Sequence, residues 1–261
     1  MGIIPKKKLE KTRPPLEDIP MLIYGLPGSG KTSFCNGDPN TITIAAEPGA
    51  DFVDTRAVPT YTWEKFQDFV DELRVSLEKD ENFSSGVVID IVDNLYEMCR
   101  DAVCFRLGIS YPGEKKDFGK SWHEVSREWR LWLGSLSMFS SIRYVTHMTE
   151  RPIDRMNENG LMETINQLVP RFNSGQGAKF LDGICQMVGF MYVNKSGQHC
   201  VTFKPHATLV VKDRTGLLDD IDEIVLPSDP SKGFEYVSNL YREKAKEKGF
   251  TIKPRRKICT N

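Results

Sequence analysis

Residues 25–32 spell Gly-Leu-Pro-Gly-Ser-Gly-Lys-Thr and directly follow the apolar run of residues 21–24. The pattern G-x-x-x-x-G-K-[ST] between a strand and a helix is typical of a loop that binds a nucleoside triphosphate. Its glycines let backbone N–H groups turn toward the phosphates, and the positive end of the next helix faces the same charge. We call residues 25–32 the phosphate loop.

The phosphate loop predicts binding of ATP together with Mg²⁺. Lys31 is expected to contact the terminal phosphates and to take part in catalysis, and the Thr32 hydroxyl is expected to ligate the metal. The predicted nucleotide-binding residues in and beside the loop are Gly25, Pro27, Gly28, Ser29, Gly30, Lys31, Thr32 and Ser33.

Two acidic residues follow apolar runs that predict strands. Asp90 ends the run at residues 86–90, and an acid there fits the second magnesium-holding residue of P-loop enzymes. Asp93 is the rival for that role, but it fits better as the N-cap of the following helix. Glu47 follows the predicted strand at residues 41–45, where a carboxylate can orient and deprotonate the attacking water. The alternative is that Glu47 lies on the surface in a turn.

Later strand ends carry further candidates. His147 follows the predicted strand at residues 142–146 and could hydrogen-bond the γ-phosphate, or simply be a satisfied polar residue where a loop starts. Lys212 and Arg214 follow a strand predicted at residues 208–211, and their spacing in an extended segment points both side chains the same way. Such cations can stabilise a transferring phosphoryl group. The alternative is a solvated basic pair around Asp213.

The chain alternates between predicted strands and helices and then continues as a run of strands. This order predicts an α/β fold with a mostly parallel central sheet, flanked by helices and extended by an antiparallel part. We expect three segments: a basic N-terminal arm at residues 1–20, an ATPase core at residues 21–226, and a C-terminal helix with a basic tail at residues 227–261.

Three finer expectations concern single elements. Ser121 and Glu124 fit a capping box that opens a helix, in which Trp129 and Trp132 are interpreted as core anchors. A hairpin is predicted over residues 187–203. Residues 148–173 are polar with little periodicity and are expected to form a long functional loop.

Composition limits the class of protein. The 261 residues are 39% hydrophobic and 27% charged, which predicts a globular domain with a substantial core. The net charge of −1 argues against a globally basic nucleic-acid binder but leaves local patches open. The six cysteines form no C-x-x-C pair, so we expect reduced thiols in a cytoplasmic protein, and the resemblance described below implies one of phage or bacterial type. No apolar run is long enough to span a bilayer, so no membrane association is expected.

Taken together, these residues resemble the RecA-like ATPase core, and in particular the phage single-strand annealing ATPases that keep only that core. The resemblance covers about residues 20–226. It implies that Glu47 activates water, that Asp51 lies near the adenine, that Asp90 holds Mg²⁺ and that His147 stands where the family's usual γ-phosphate sensor is glutamine. It also implies that Lys212 and Arg214 act across a subunit interface on the neighbour's ATP.

The same resemblance implies an ATPase that self-associates into a filament or ring on single-stranded DNA, in recombination or strand annealing. A single-strand DNA-binding protein is a further partner that it leaves open. DNA would meet basic residues in the loops that follow the central strands, mainly through phosphates. The candidates are Lys115, Lys116, Lys120, Arg151, Arg155 and Arg171, with Lys6, Lys7, Lys8 and residues 255–257 in the tails.

Two other functions remain open from the sequence. One is a P-loop motor or loader in replication or DNA packaging, which would share Lys31, Thr32, Glu47 and Asp90. The other is a nucleotide-gated binding module without appreciable turnover. A motor or loader would assemble as a closed ring that translocates, whereas a recombination ATPase would form a helical filament. A binding module without turnover would be nearly unaffected by a Glu47→Gln substitution.

Overall fold

An alternation of strands and helices begins at the phosphate loop. The computed structural model of the chain describes residues 11–47, 55–157, 159–172 and 175–255. Its strands are β1 (Thr12–Arg13), β2 (Met21–Gly25), β3 (Thr41–Ala45), β4 (Arg56–Pro59), β5 (Gly86–Asp90), β6 (Ile142–Met156), β7 (Met162–Pro170), β8 (Met187–Val193), β9 (His199–Thr202), β10 (Lys212–Asp213), β11 (Ile224–Val225) and β12 (Thr251–Ile252). Its α-helices are α1 (Lys31–Cys35), α2 (Trp63–Lys79), α3 (Val92–Leu107), α4 (Lys120–Phe139), α5 (Gly175–Ile184) and α6 (Gly233–Glu247).

The central sheet is parallel through most of its width. Strands β8, β2, β6, β5, β3 and β4 lie side by side in that order, and each neighbouring pair is parallel. Strands β9 and β11 extend the sheet beyond β8 in antiparallel fashion. The prediction of a mostly parallel sheet with an antiparallel extension is confirmed. Strands β2, β3 and β5 are buried along their whole length, which explains the apolar run of β2 and of residues 86–89 in β5 and the β-branched residues of β3.

Each face of the sheet has its own hydrophobic core. One core contains Trp63 and Trp129 from α2 and α4, with residues of α3 and α5. The other contains Phe34 of α1 with Phe234 and Tyr241 of α6. Helices therefore cover both faces and leave the ends of the parallel strands as the edge where a ligand can bind. Trp129 is a core anchor, as its helical spacing predicts.

The first and last strands of the described part of the chain meet on the α6 face. Strand β1 pairs with β12 in parallel, and the Tyr241 hydroxyl donates to the carbonyl of Pro14 at 3.2 Å. Leu16 and Ile19 are buried in the core of that face. The boundaries that separate arm, core and tail stay a prediction, but residues 11–20 and α6 pack against the sheet.

The expectation of a long polar loop at residues 148–173 is wrong. Strand β6 continues to Met156 and pairs with β7 from Met148↔Pro170 to Met156↔Met162, which makes an antiparallel hairpin that we call the β6–β7 hairpin. Half of its paired side chains are exposed and most of the others are half-buried, so the sequence carries no clear apolar alternation. The available signal was Asn159-Gly160, a dipeptide that favours hairpin turns.

Two further expectations are corrected. Helix α4 begins at Lys120 after Gly119, and the Asp117 carboxylate caps its first turn by accepting from the Ser121 amide at 2.9 Å. The Ser121 hydroxyl does not cap the helix, because it accepts a hydrogen bond from the Gly113 amide. The strand predicted at residues 208–211 does not form. Leu209 makes isolated β-bridges to Leu168 and His206, and the next strand along the chain is β10. The hairpin predicted over residues 187–203 is present as β8 and β9. In the part of the chain that the structure describes, no helix has the length and apolar character to cross a bilayer.

Candidate active site

The phosphate loop turns sharply between β2 and α1. Gly28 and Gly30 have φ of 77° and 88°, in the left-handed region that glycine adopts without strain. The Ser29 hydroxyl is buried and has no hydrogen-bond partner among the described residues. Helix α1 has only five residues, so the backbone N–H groups of the loop carry more of the anion binding than a helix dipole does. An unpaired donor in a glycine-rich turn fits a phosphate.

Gly25 is required for a different reason. A Cβ atom at this position would lie 2.1 Å from the carbonyl oxygen of Met191 on β8. Because β2 and β8 are paired at Gly25↔Met191, the loop starts directly beside the β8 backbone. A side chain here would push the loop away from the sheet.

Lys31 folds back over the loop. Its ammonium group donates to the carbonyls of Gly25 at 3.2 Å and Leu26 at 2.8 Å, and the side chain is buried. Burial lowers the pKa of Lys31, and the negative charge of Asp90 opposes that change. The amine is thus held at the inner side of the loop, within the turn that would receive the phosphates.

Thr32 and Asp90 are in direct contact. The Thr32 hydroxyl donates to Asp90 Oδ2 at 2.6 Å, although the two residues are 58 positions apart in the chain. A hydroxyl and a carboxylate are the oxygen ligands that Mg²⁺ takes beside a nucleotide, with waters and phosphate oxygens filling the remaining positions. The donor set therefore fits Mg²⁺. Burial raises the pKa of Asp90, and the Thr32 hydrogen bond opposes this, so metal binding should weaken on acidification at a higher pH than for an exposed aspartate.

Glu47 follows β3 on the same edge of the sheet. Ala45 is paired with Asp90 across β3 and β5, and the Ala46 amide donates to the Asp90 carbonyl at 2.7 Å. The Asn94 side chain donates to the Ala46 carbonyl at 3.2 Å and so fixes the segment that leads to Glu47. After burial and the Thr32 bond, the charge of Glu47 is the next influence on the pKa of Asp90. The two carboxylates therefore share one site.

His147 lies beside the start of the phosphate loop. It is paired with Gly25 across β6 and β2, and its Nδ1 atom is buried without a hydrogen-bond partner among the described residues. A buried imidazole nitrogen without a partner is costly unless something else in the site satisfies it. A phosphate oxygen at the loop is a suitable partner.

The expectation that Asp93 caps a helix is wrong. Helix α3 begins at Val92, and the N-cap residue, Ile91, makes no side-chain cap. Asp93 instead accepts a hydrogen bond from the Thr146 hydroxyl at 2.6 Å, one residue before His147. Burial raises the pKa of Asp93, and the Thr146 bond opposes that rise. Asp93 thus ties α3 to the end of β6, while Asp90 makes the contact with Thr32.

His199 contacts the phosphate loop, which the sequence did not predict. Its Nδ1 atom lies 3.1 Å from the Ser29 carbonyl oxygen, and its ring packs against Gly30. Since a carbonyl can only accept, Nδ1 carries the proton in this contact. The residue starts β9 in the antiparallel extension, so no local motif links it to the phosphate loop.

Lys212 and Arg214 lie at the opposite edge of the sheet. Lys212 is paired with Val188 near the start of β8, whereas Gly25 is paired with Met191. Lys212 Nζ bonds Asp182 Oδ1 at 2.8 Å, and Arg214 Nη1 donates to the Gly183 carbonyl at 3.4 Å. Both cations therefore point at the end of α5, as cations at a helix C-terminus commonly do. They are about 10 Å or more along β8 from their own phosphate loop.

Some predicted residues lie outside the described part of the chain. These are Asp51, Lys6, Lys7, Lys8 and the tail residues 256–257. Pro27 is exposed at the outer turn of the phosphate loop, and Ser33 is half-buried in α1. The roles of all of these in nucleotide or DNA binding stay predictions.

A phosphate loop that opens from a parallel strand, with Thr32 held to a strand-end aspartate, defines a P-loop nucleotide-binding protein of the α/β class. The model of the family described as "AAA domain" matches residues 17–215, and the chain belongs to this family of P-loop ATPases. A comparison with curated proteins finds no match. Membership of this family supports binding of a nucleotide with Mg²⁺. The match does not extend to the narrower resemblance to phage annealing ATPases, which stays a prediction.

Replacing Thr32 by Val should weaken Mg²⁺-dependent nucleotide binding. Valine has a volume similar to that of threonine but lacks the hydroxyl that is expected to ligate the metal. The change therefore also leaves Asp90 without its hydroxyl partner. Thr32→Ser keeps the hydroxyl and is the matched control. Titration of MgATP and of metal-free ATP against a fluorescent analogue should show a loss of about 10-fold or more for MgATP only. Equal losses with and without the metal would contradict a metal role for Thr32.

Proposed function

We propose that the chain hydrolyses ATP with Mg²⁺ while bound to single-stranded DNA, in recombination or strand annealing, and that its ATP sites lie between subunits. The observation that supports the proposal most directly is the position of His147. This residue lies beside the phosphate loop on the strand that continues outward as the β6–β7 hairpin. A change at the γ-phosphate and a change in the hairpin would therefore be mechanically linked.

The chain's own residues divide the reaction among them. Lys31 and the loop amides neutralise the phosphates, and Thr32 with Asp90 would hold Mg²⁺, which draws charge from the phosphate oxygens. Glu47 orients a water and accepts its proton as the water oxygen bonds to the γ-phosphorus and the bond to the ADP oxygen breaks. The Nδ1 atom of His147 hydrogen-bonds the γ-phosphoryl group. When that group leaves, the hydrogen bond is lost and His147 can shift together with β6.

The hairpin supports a DNA-facing role by its exposure and by individual arginines, and not by its net charge, because residues 148–171 carry four acidic and three basic side chains. Arg151 bonds only the neutral Gln167 side chain among the described residues, while Arg155 is paired with Glu163 at 2.7 Å. Arg171 is exposed at the hairpin base, where its amide donates to the His147 carbonyl at 2.7 Å. Arg151 and Arg171 are therefore better phosphate-binding candidates than Arg155, whose charge is already compensated.

The proposal can be tested by electron microscopy of the intact chain with single-stranded DNA and a non-hydrolysable ATP analogue. We expect a regular assembly on the DNA that requires the nucleotide. Arg151→Gln should reduce the DNA-bound fraction, whereas Arg74→Gln, on the exposed face of α2 and paired with Asp71, should not. A closed ring that moves along DNA would favour a motor or loader instead. Monomers that retain no DNA would contradict the proposal.

A further inference from the structure

A cleft of about 640 Å³ lies beside the first half of α4, away from the phosphate loop. Its walls include Trp122, His123, Arg127, Arg130 and Gln176. The α4 residues face the cleft at helical spacing, and Gln176 belongs to the first turn of α5. The cleft therefore has a fixed wall on each side, formed by two packed helices.

The charge of the cleft is positive. The Arg127 side chain is 72% exposed and meets Glu124 only at 3.7 Å, an arrangement that leaves its guanidinium largely available. Arg130 donates to the neutral Gln176 Oε1 at 3.0 Å, and its charge has no carboxylate partner among the described residues. Glu128 on the same helix is turned away, because it bonds Trp63, Gln67 and Arg106. An anionic ligand would thus meet the Arg130 guanidinium, which has no carboxylate partner among the described residues, and the exposed Arg127 guanidinium, which shares its charge with Glu124.

One large aromatic ring, that of Trp122, lines the cleft, and it is exposed where two other tryptophans of the chain are buried. Trp63 and Trp129 are 1% and 0% exposed, but Trp122 is 47% exposed. Phe118, one residue before the cleft-lining Gly119, is fully exposed. Large aromatic surfaces beside uncompensated cations are the composition of sites that bind single-stranded nucleic acid, since bases stack on the rings while phosphates meet the cations.

The cleft is connected to the nucleotide site through the hairpin base. Gln176 starts α5 a few residues after Phe172, whose ring packs on Tyr96 and Trp129. The preceding residue, Arg171, donates its amide to the His147 carbonyl. A shift of His147 would therefore be carried to the wall of the cleft through packed aromatic rings and one backbone hydrogen bond.

We propose that this cleft binds single-stranded nucleic acid, with a base stacked on Trp122 and adjacent phosphates held by Arg127 and Arg130. The inference rests on the proposed function, because it names where that function would hold the strand. It adds a base-stacking site on α4 to the phosphate contacts expected of the hairpin. Stacking without hydrogen-bonded base readout makes the binding tolerant of sequence.

The test uses the intact chain, oligothymidylate as probe, and tryptophan fluorescence and anisotropy as readouts. Oligothymidylate should quench the exposed Trp122 signal in the parent protein and not in Trp122→Ala. We expect Trp122→Ala to weaken binding about 5- to 150-fold and Trp122→Phe to retain most of the affinity. Tyr236→Ala, which removes another exposed ring on α6, is the matched control and should bind like the parent.

Salt dependence tests the two arginines. The double variant Arg127→Gln/Arg130→Gln should lower the slope of log affinity against log salt concentration by about 1.4, as expected for two lost single-strand phosphate contacts. Basal ATP hydrolysis without DNA should be unchanged in every variant. If every variant had the parent's affinity for oligothymidylate and the parent's salt dependence, the proposal that the cleft binds the strand would be overturned. The proposed ATPase function would not be affected by that result. Quenching of Trp122 by an acidic peptide but not by oligothymidylate would also overturn it, in favour of a protein partner.

Discussion

Replacing Glu47 by Gln should lower the turnover of ATP by about 10²- to 10⁴-fold, the range expected when a general base is lost. Glutamine keeps the size and a hydrogen-bonding oxygen but cannot accept the proton of the attacking water. The segment before Glu47 is fixed by the bonds of Ala46 to Asp90 and Asn94, so the substitution should leave the site in place. ATP affinity should remain within a few-fold of the parent value.

The measurement is steady-state phosphate release together with equilibrium binding of a fluorescent ATP analogue. Glu78→Gln, an exposed position on α2, is the matched control for loss of one negative charge. A Glu47→Gln protein that turns over ATP at the parent rate would show that Glu47 is not the base. If the parent itself binds ATP with negligible turnover and the variant behaves identically, the chain is a nucleotide-gated binding module.

Removing the Arg214 guanidinium should reduce turnover of the assembled protein by about 10³- to 10⁵-fold, the range for a charge supplied across an interface. Arg214 is exposed, and among the described residues its guanidinium is held by a 3.4 Å bond to the Gly183 carbonyl. Lys212 is mostly buried and paired with Asp182, so Lys212→Ala should cost stability as well as activity. Of the two predicted cations, Arg214 is better placed to reach a neighbour.

A mixing experiment separates a charge supplied in trans from a structural role. Subunits with Arg214→Ala keep an intact phosphate loop, and subunits with Lys31→Met keep an intact Arg214. Each protein alone should be nearly inactive. Mixed assemblies should regain part of the activity, because some interfaces combine a working phosphate loop with a working arginine. Additive residual rates, with no recovery on mixing, would contradict a site shared between subunits.

Much of the candidate site was accessible from the sequence because its residues lie at strand ends. The phosphate loop has a local pattern, and the parallel register brings the ends of β2, β3, β5 and β6 to one edge. The contact between Thr32 and Asp90 follows from that register together with the turn of the phosphate loop, which returns Thr32 on α1 to the same edge. The apolar runs of β2 and β5 and the β-branched residues of β3 made these strands predictable, since all three are buried on both faces.

The parts that the sequence missed depend on long-range contacts or on exposed strands. The β6–β7 hairpin lacks alternation because both of its faces meet solvent. His199 reaches Ser29 across 170 residues of chain, which no local pattern signals. Asp93 looked like a helix cap, but its partner Thr146 belongs to a strand 53 residues away. The short β10 strand depends on pairing with β8 and not on its own propensity.

The most direct test of the central claim is the rate of ATP hydrolysis by the intact chain, measured with Mg²⁺ in the presence and absence of single-stranded DNA. The account predicts a rate that rises severalfold with single-stranded DNA, rises less with the duplex of the same sequence, and falls to background with Lys31→Met. Hydrolysis that is indifferent to DNA, from a protein that stays monomeric in ATP, would contradict it.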